Sequence, residues 1–230
     1  MSSLERKADL WVFGYGSLMW RPDFPFSERQ RATVSGFHRA FCIASTMHRG
    51  TPKRPGLVLG LDRGGTCEGV AYRIAASDAT QVMAYLRERE LIYGVYRETL
   101  APAQIAVGAR RAEILAMAYT VERFHPSYAG DLPLSVQARV IRGAKGQSGA
   151  NLDYLINTVE HLRQLDIRER HLERLMTIAA AHTAHTVSNK HHRPSVKGLC
   201  STWSRAPTVD LTIPYGDQRR FGHRVRIARM

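Results

Sequence analysis

The sequence predicts an α+β domain, in which a mostly antiparallel sheet, open or closed into a barrel, is surrounded by helices. Short apolar runs that suit strands fill the first half of the 230-residue chain, and patterns that suit helices fill the second half. Strands and helices that segregate along a sequence in this way are typical of α+β folds. The hydrophobic fraction of 44% is enough for one sizeable core.

The strands are predicted from composition and from the residues that bound them. Each run is short and rich in β-branched and aromatic residues, and Gly, Pro, Asp or Arg lies at its ends. A basic loop with several Gly and Pro residues separates the second run from the third. The six runs are Leu10–Phe13, Gly36–Ser45, Leu57–Leu61, Glu68–Ile74, Val95–Leu100 and Ile114–Val121.

The helices are predicted from apolar periodicity and from residues that suit helix ends. Ser77 or Asp78 is a suitable N-cap for the first helix, and Asn151 could cap the third. The four predicted helices cover about 79–90, 132–143, 151–164 and 168–181.

The segment after the first predicted strand is the most informative part of the chain. Gly14-Tyr15-Gly16-Ser17 interrupts an apolar, aromatic run. Glycine tolerates positive φ and lets a ligand approach the backbone closely. Successive N–H groups in such a loop can form an anion-binding nest. The alternative interpretation is a tight turn that binds nothing.

Glu90 occupies an unusual position on the first predicted helix. Val82, Leu86 and Glu90 are spaced at i, i+4 and i+8, so they share one apolar face, whereas Glu88 lies on the outer face. A carboxylate at the end of an apolar stripe is costly unless it is paired or used. Partial burial would raise its pKa and make it a better base near neutral pH. The alternative is an ion pair with Arg87 or Arg97 at the end of the helix.

Several motifs occur together in a characteristic order. They are Phe13–Phe24, His48-Arg49-Gly50, Gly69–Arg73, Tyr85-Leu86, Arg89-Glu90, Tyr128–Gly130, Gly146–Gly149, Asn151 and Tyr154-Leu155. This pattern resembles the ChaC-like, glutathione-specific γ-glutamylcyclotransferases over about residues 10–180. The Tyr-Gly-Ser-Leu segment and the Arg-Glu pair are its most specific parts. The resemblance implies a small mixed β-barrel flanked by helices.

The resemblance also implies a lyase that acts on glutathione. The α-amine of the substrate attacks its own γ-carbonyl and releases 5-oxoproline and Cys-Gly, so the protein need not supply a nucleophile. Glu90 aligns with the catalytic glutamate of the family and would serve as general base and acid. The backbone N–H groups of Tyr15, Gly16, Ser17 and Leu18 would bind the oxyanion or the glutamyl α-carboxylate.

Tyr128 and Arg49 are two further substrate-binding candidates that the resemblance suggests. Arg49 could bind a carboxylate of the substrate through its planar guanidinium, and the alternative is a structural ion pair within the protein. For Tyr128, the alternative is ordinary packing. Arg89 could orient or neutralise the groups beside Glu90, but we expect it to point away from the site. The reaction needs no cofactor, and the sequence shows no metal-ligand spacing. A cyclotransferase for other γ-glutamyl amino acids or amines is the related alternative.

The positive charge is concentrated near the end of the chain. The net charge is +13, and residues 182–230 hold nine Lys/Arg and two Asp/Glu, a net of +7. We place a domain over 1–181, with its boundary near Ala181, and a basic, disordered tail over 182–230. No nucleic-acid-binding motif accompanies the charge, so nucleic acid would bind only non-specifically, through the tail. A non-catalytic basic binding module is the alternative from another class.

The sequence predicts a cytoplasmic protein that does not enter a membrane. No run reaches the ~18 apolar residues of a membrane helix, and the N-terminus lacks the pattern of a signal peptide. The three cysteines are an odd number without metal-type spacing, which predicts reduced thiols. The oligomeric state stays open at this point.

Overall fold

Five strands of the described residues close into a barrel. The structure is a computed structural model that describes residues 8–107 and 110–188. The strands are β1 (Leu10–Gly14), β2 (Glu28–Ser45), β3 (Gly56–Ile74), β4 (Tyr96–Val107) and β5 (Arg110–Val121). Their order around the barrel is β1-β3-β2-β4-β5, and only the pairing of β1 with β5 is parallel. The predicted mixed, mostly antiparallel barrel is confirmed.

One predicted strand break is wrong. Leu57–Leu61 and Glu68–Ile74 belong to a single strand, β3, which pairs with β2 along nearly its whole length. The polar residues between the two runs suggested a loop. The segment instead continues the ladder, with Asp62 opposite His38, and Asp62 is buried because its carboxylate is hydrogen-bonded.

Within residues 8–107 and 110–188, four helices follow or interrupt the barrel strands. They are α1 (Ala79–Glu90), α2 (Leu134–Gly143), α3 (Asn151–Gln164) and α4 (Arg170–Ser188), and a two-stranded ribbon, β6 (Lys145–Gly146) with β7 (Gly149–Ala150), precedes α3. The predicted bounds of α1 and α3 agree with the structure. The last helix continues past Ala181, and residues 189–230 of the predicted tail lie outside the described residues.

Asn151 does not cap α3, so that prediction is wrong. Ala150 precedes the first turn, and Asn151 makes no side-chain cap. The Asn151 amide is fully buried and bonds the backbone of Leu57 twice, accepting from its N–H and donating to its C=O, both at 2.7 Å. The side chain therefore attaches α3 to the start of β3.

The core fills the barrel and the space between the barrel and the helices. α2 and α3 contact β3, and α4 packs on α2 and α3. Cys42 and Cys67 are buried, free thiols inside this core. Among the described residues, no helix is both long and apolar enough to span a bilayer.

Candidate active site

A tight turn over residues 15–19, which we call the glycine turn, follows β1 at one end of the barrel. Ser17–Met19 forms a single 3-10 turn, closed by hydrogen bonds from Met19 N–H to Gly16 C=O (2.9 Å) and from Arg21 N–H to Ser17 C=O (2.8 Å). A Cβ at Gly14 would lie 3.1 Å from Leu18 Cβ. A larger residue at position 14 would therefore push the turn away from the strand.

Side chains from three other elements, β2, β3 and α1, hold this turn. The buried guanidinium of Arg39, on β2, donates from Nε to the Tyr15 carbonyl at 2.5 Å. The hydroxyl of Tyr72, on β3, lies 3.0 Å from the Leu18 carbonyl and 2.9 Å from the next carbonyl along. Arg89, near the end of α1, donates from Nη2 to Ser17 Oγ at 3.0 Å. The turn is therefore fixed from three directions, which preorganises its N–H groups.

The turn lines a small cavity of about 70 Å³. Typical ligand pockets enclose about 300–1,000 Å³, so this cavity admits only one end of a peptide-sized molecule without rearrangement. It brings together the turn, the end of α1, three barrel strands and α3. The lining residues are Tyr15, Gly16, Ser17, Leu18, Leu59, Glu90, Tyr96, Tyr119 and Tyr154.

Glu90 is the acidic residue of the cavity. It is the last residue of α1, and its side chain is 18% exposed. Burial raises the pKa of Glu90, and the positive charge of Arg89, whose Nε lies 3.2 Å from Glu90 Oε1, opposes this rise. Glu88, two residues earlier, is exposed to solvent. The predicted difference between the two glutamates is confirmed.

Arg89 does not point away from the site, contrary to the expectation from sequence. Besides Ser17, its guanidinium contacts Tyr85 Oη at 2.8 Å and the Arg21 carbonyl at 2.9 Å. It reaches back along the helix to Tyr85 and crosses to the glycine turn. Arg89 therefore joins the catalytic candidate Glu90 to the loop that faces it.

Four tyrosines surround the cavity: sequence reasoning selected Tyr15 as a site residue and missed Tyr96, Tyr119 and Tyr154. Tyr96 donates its hydroxyl to the Leu59 carbonyl at 2.6 Å, and Tyr119 donates to Glu98 at 3.4 Å. Burial raises the pKa of Tyr15 and Tyr96 well above the ordinary value and that of Tyr154 to about 12. These hydroxyls are therefore neutral at physiological pH and can orient a polar substrate.

Arg49 and Tyr128 do not line the cavity. Arg49 donates to the Ser148 carbonyl at 2.6 Å, and its Cζ lies 5.0 Å from the ring centre of Tyr154, which does line it. Tyr128 donates its hydroxyl to Asp62 at 2.7 Å. Arg49 is thus adjacent to the cavity, whereas the Tyr128 hydroxyl is used in a different part of the barrel.

The described part of the chain contains no cluster of three or more His, Cys, Asp or Glu side chains that could hold a metal ion. A second, larger cleft of about 350 Å³ lies where α3 meets α4. Arg163 and Glu173, which form an ion pair at 3.3 Å, line this cleft. It is remote in sequence from the glycine turn and from Glu90.

The barrel, its glycine turn and the buried glutamate at the end of α1 define a class of proteins with the γ-glutamylcyclotransferase fold. The structure is similar to that of a yeast γ-glutamyl cyclotransferase specific to glutathione, with a TM-score of 0.70 and 24% sequence identity. The match covers 80% of this chain and 100% of that chain. At this identity the likeness concerns the fold.

The sequence defines the family more closely. Residues 10–182 match the family model of the ChaC-like proteins, and the chain belongs to this family. It is 36% identical over 167 residues to the glutathione-specific γ-glutamylcyclotransferase of Escherichia coli, covering 73% of this chain and 71% of that protein. It is also 36% identical over 168 residues to γ-glutamylcyclotransferase 2-3 of Arabidopsis thaliana, covering 71% of this chain and 84% of the relative. The resemblance noted from the motifs is confirmed.

Proposed function

We propose that the protein is a glutathione-specific γ-glutamylcyclotransferase, a lyase that converts glutathione to 5-oxoproline and Cys-Gly. One observation carries the proposal: the half-buried carboxylate of Glu90 and the backbone of the turn from Tyr15 to Leu18 line the same cavity. Relatives with this activity in their names are 33–36% identical to the chain and include bacterial and animal proteins.

The reaction begins with proton removal. The α-amino group of glutathione is an ammonium at neutral pH and cannot attack a carbonyl. Glu90, whose pKa is raised by burial, accepts this proton. The free amine then attacks the γ-carbonyl carbon, a C–N bond forms, and the carbonyl oxygen becomes an oxyanion.

The second half of the reaction returns the proton. As the oxyanion reforms a carbonyl, the bond to the cysteine nitrogen breaks, and Glu90 protonates the departing amine. The ring nitrogen still carries a second proton from the attacking amine, and it releases this proton to the departing amine or to solvent as the lactam forms. The products are 5-oxoproline and Cys-Gly. Because Glu90 first accepts and then donates a proton, one carboxylate is sufficient for both steps.

Backbone donors on the glycine turn would stabilise the oxyanion. Within the described residues, the N–H groups of Gly16, Ser17 and Leu18 have no hydrogen-bond partner. Fixed donors without a protein partner are available to stabilise charge that develops in a transition state. The same groups, or those beside them, would bind the glutamyl α-carboxylate.

Arg49 would bind the part of glutathione that extends beyond the cavity. Its guanidinium bonds only backbone carbonyls, and no carboxylate within the described residues lies in ion-pair range of it. It also stacks near Tyr154, which lines the cavity. A carboxylate of the substrate would supply the missing negative charge. A substrate contact from Tyr128 stays a prediction that comes from the family resemblance.

A cyclotransferase for other γ-glutamyl amides is the second candidate. The cavity of about 70 Å³ encloses only one end of the substrate, and that end is shared by all γ-glutamyl compounds. The name of the Arabidopsis relative specifies no leaving group. Specificity for glutathione would therefore depend on contacts outside the cavity, of which Arg49 is one.

The product assay decides between these functions. Purified protein is incubated separately with glutathione, γ-glutamylalanine and γ-glutamylamines, and 5-oxoproline is quantified by mass spectrometry. Release from glutathione alone supports the first proposal, and faster release from the other compounds supports the second. If no substrate yields 5-oxoproline while the protein binds nucleic acid with steep salt dependence, the basic binding module replaces both.

We further propose a cytoplasmic location, because the buried Cys42 and Cys67 are free thiols.

A further inference from the structure

Arg39 is fully buried, although the reaction as described above does not use it. Its relative exposure is 0%. The guanidinium bonds the Tyr15 carbonyl at 2.5 Å and the Glu68 carbonyl at 2.6 Å, and it forms an ion pair with Glu169. A buried cation is costly unless it is paired and hydrogen-bonded. These contacts satisfy the charge and join β2, β3, the glycine turn and the segment that leads into α4.

The contact with Tyr15 has a consequence on the other side of the same peptide unit. The C=O of Tyr15 and the N–H of Gly16 belong to one planar group, and no described peptide bond is cis. In a trans peptide these two bonds point in opposite directions. The carbonyl that faces Arg39 therefore turns the Gly16 N–H away from Arg39. Gly16 lines the cavity with Glu90, and no described residue accepts a hydrogen bond from its N–H.

We propose that Arg39 is a positioning residue, which fixes and polarises the peptide between Tyr15 and Gly16 so that the Gly16 N–H donates to the oxyanion. A positive charge on the carbonyl oxygen draws electron density toward that oxygen. The N–H of the same peptide then becomes a stronger donor, as in other hydrogen-bond chains. The inference rests on the proposed cyclotransferase function and identifies Arg39 as the side chain that orients its oxyanion donor.

Glu169 provides the means to separate positioning from stability. Its carboxylate pairs with Arg39 but does not contact the glycine turn, and it is 18% exposed. Glu169→Gln leaves the Arg39 cation without its counter-charge, which destabilises the fold. It leaves the bond from Arg39 to the Tyr15 carbonyl in place. Arg39→Met removes that bond and the charge while filling a similar volume.

The experiment compares Arg39→Met, Arg39→Lys and Glu169→Gln. It measures kcat and KM for glutathione well below the melting temperature, with Tm and near-ultraviolet circular dichroism as controls for folding. We expect Arg39→Met to lower kcat about 10-fold to 100-fold with KM changed by less than about threefold, because the oxyanion donor loses its support. We expect Glu169→Gln to lower Tm while kcat stays within about threefold of wild type.

Several results would overturn the proposal. Equal losses of kcat in Arg39→Met and Glu169→Gln would assign Arg39 a structural role, and so would a loss of kcat that follows Tm across the variants. If Arg39→Met does not fold, Arg39→Lys decides: its ammonium keeps the charge but cannot span three acceptors. Full kcat in that variant contradicts the proposal. A wild-type protein that is inactive on every γ-glutamyl substrate would overturn the proposed function and this inference together. An active wild-type protein whose Arg39 variants keep the wild-type kcat would overturn only the inference about Arg39.

Discussion

Arg89 and Ser17 are joined by a hydrogen bond of 3.0 Å that connects the end of α1 to the glycine turn. The same guanidinium lies 3.2 Å from the carboxylate of Glu90. The bond therefore couples the position of the proposed acid and base to that of the proposed oxyanion donors. Because both must act on one carbonyl group, their separation has to be fixed to well below an ångström for efficient catalysis.

We predict that Arg89→Met lowers kcat/KM at least about tenfold and shifts the pH profile. The charge of Arg89 lowers the pKa of Glu90, against the larger effect of burial. Its removal leaves burial unopposed, so the pKa of Glu90 rises and the acidic limb of the kcat/KM profile moves to higher pH. Arg97→Met, at an exposed position on β4, is the matched control and should leave both quantities unchanged. An acidic limb that does not move in Arg89→Met would contradict the assignment of this limb to Glu90.

A second prediction concerns stability. Folding raises the pKa of Glu90, so the folded state holds this proton more tightly than the unfolded chain. The contribution of Glu90 to stability is therefore fully present below its unfolded pKa and is lost as pH rises through the folded pKa. Glu90→Gln stays neutral, so its free energy of unfolding should exceed that of wild type at neutral pH. The difference should vanish below about pH 4. Calorimetry between neutral pH and about pH 4 tests the sign of this stability difference. A Glu90→Gln variant that is less stable than wild type at neutral pH would contradict the prediction.

Removal of the basic segment should preserve catalysis. α4 extends to Ser188, so a truncation after Ser188 is better placed than one after Ala181, where the sequence alone put the boundary. The family match ends at residue 182. We expect the truncated protein to keep kcat/KM for glutathione within about threefold and to lose affinity for nucleic acid, because it lacks all of the net +7 that lies beyond residue 181. A folded but inactive truncated protein would show that the tail contributes to the site.

Metal chelation should have no effect on turnover. The proposed reaction is an internal aminolysis, in which Glu90 transfers the protons and backbone N–H groups bind the oxyanion. Activity is measured before and after dialysis against EDTA, with Mg²⁺, Mn²⁺ and Zn²⁺ added back in parallel. Loss of activity on chelation followed by recovery with one of these metals would require a different mechanism.

The parts of the fold that depend on local pattern could be predicted from the sequence. The bounds of α1 follow from its apolar periodicity, which also placed Glu90 on the inner face and Glu88 on the outer face. Asp78 lies at the N-cap position as predicted but makes no side-chain cap hydrogen bond. The glycine turn could be identified because Gly14 and Gly16 directly follow an apolar strand. These signals lie within a few residues of the features that they predict.

The parts of the fold and of the site that depend on contacts between distant residues could not be predicted from the sequence. Arg39 lies 24 residues from Tyr15 and 130 residues from Glu169, so no local pattern indicates that it reaches the turn. Asn151 looked like a helix cap, but its amide is satisfied by a strand 94 residues away. The predicted direction of the Arg89 side chain was wrong for the same reason, because its partner Ser17 lies 72 residues earlier in the sequence. Only the closed barrel brings these groups together.

The decisive measurement is the rate of 5-oxoproline release from glutathione by wild type, Glu90→Gln and the matched control Glu88→Gln. Glutamine is nearly isosteric with glutamate but cannot accept the ammonium proton, so Glu90→Gln should lose about 10²-fold to 10⁴-fold in kcat while it stays folded. Glu88 is exposed on the same helix, and Glu88→Gln should keep the wild-type rate. Equal rates in the two variants, or a folded Glu90→Gln that turns over glutathione as fast as wild type, would contradict the role of Glu90 as the acid and base of the reaction.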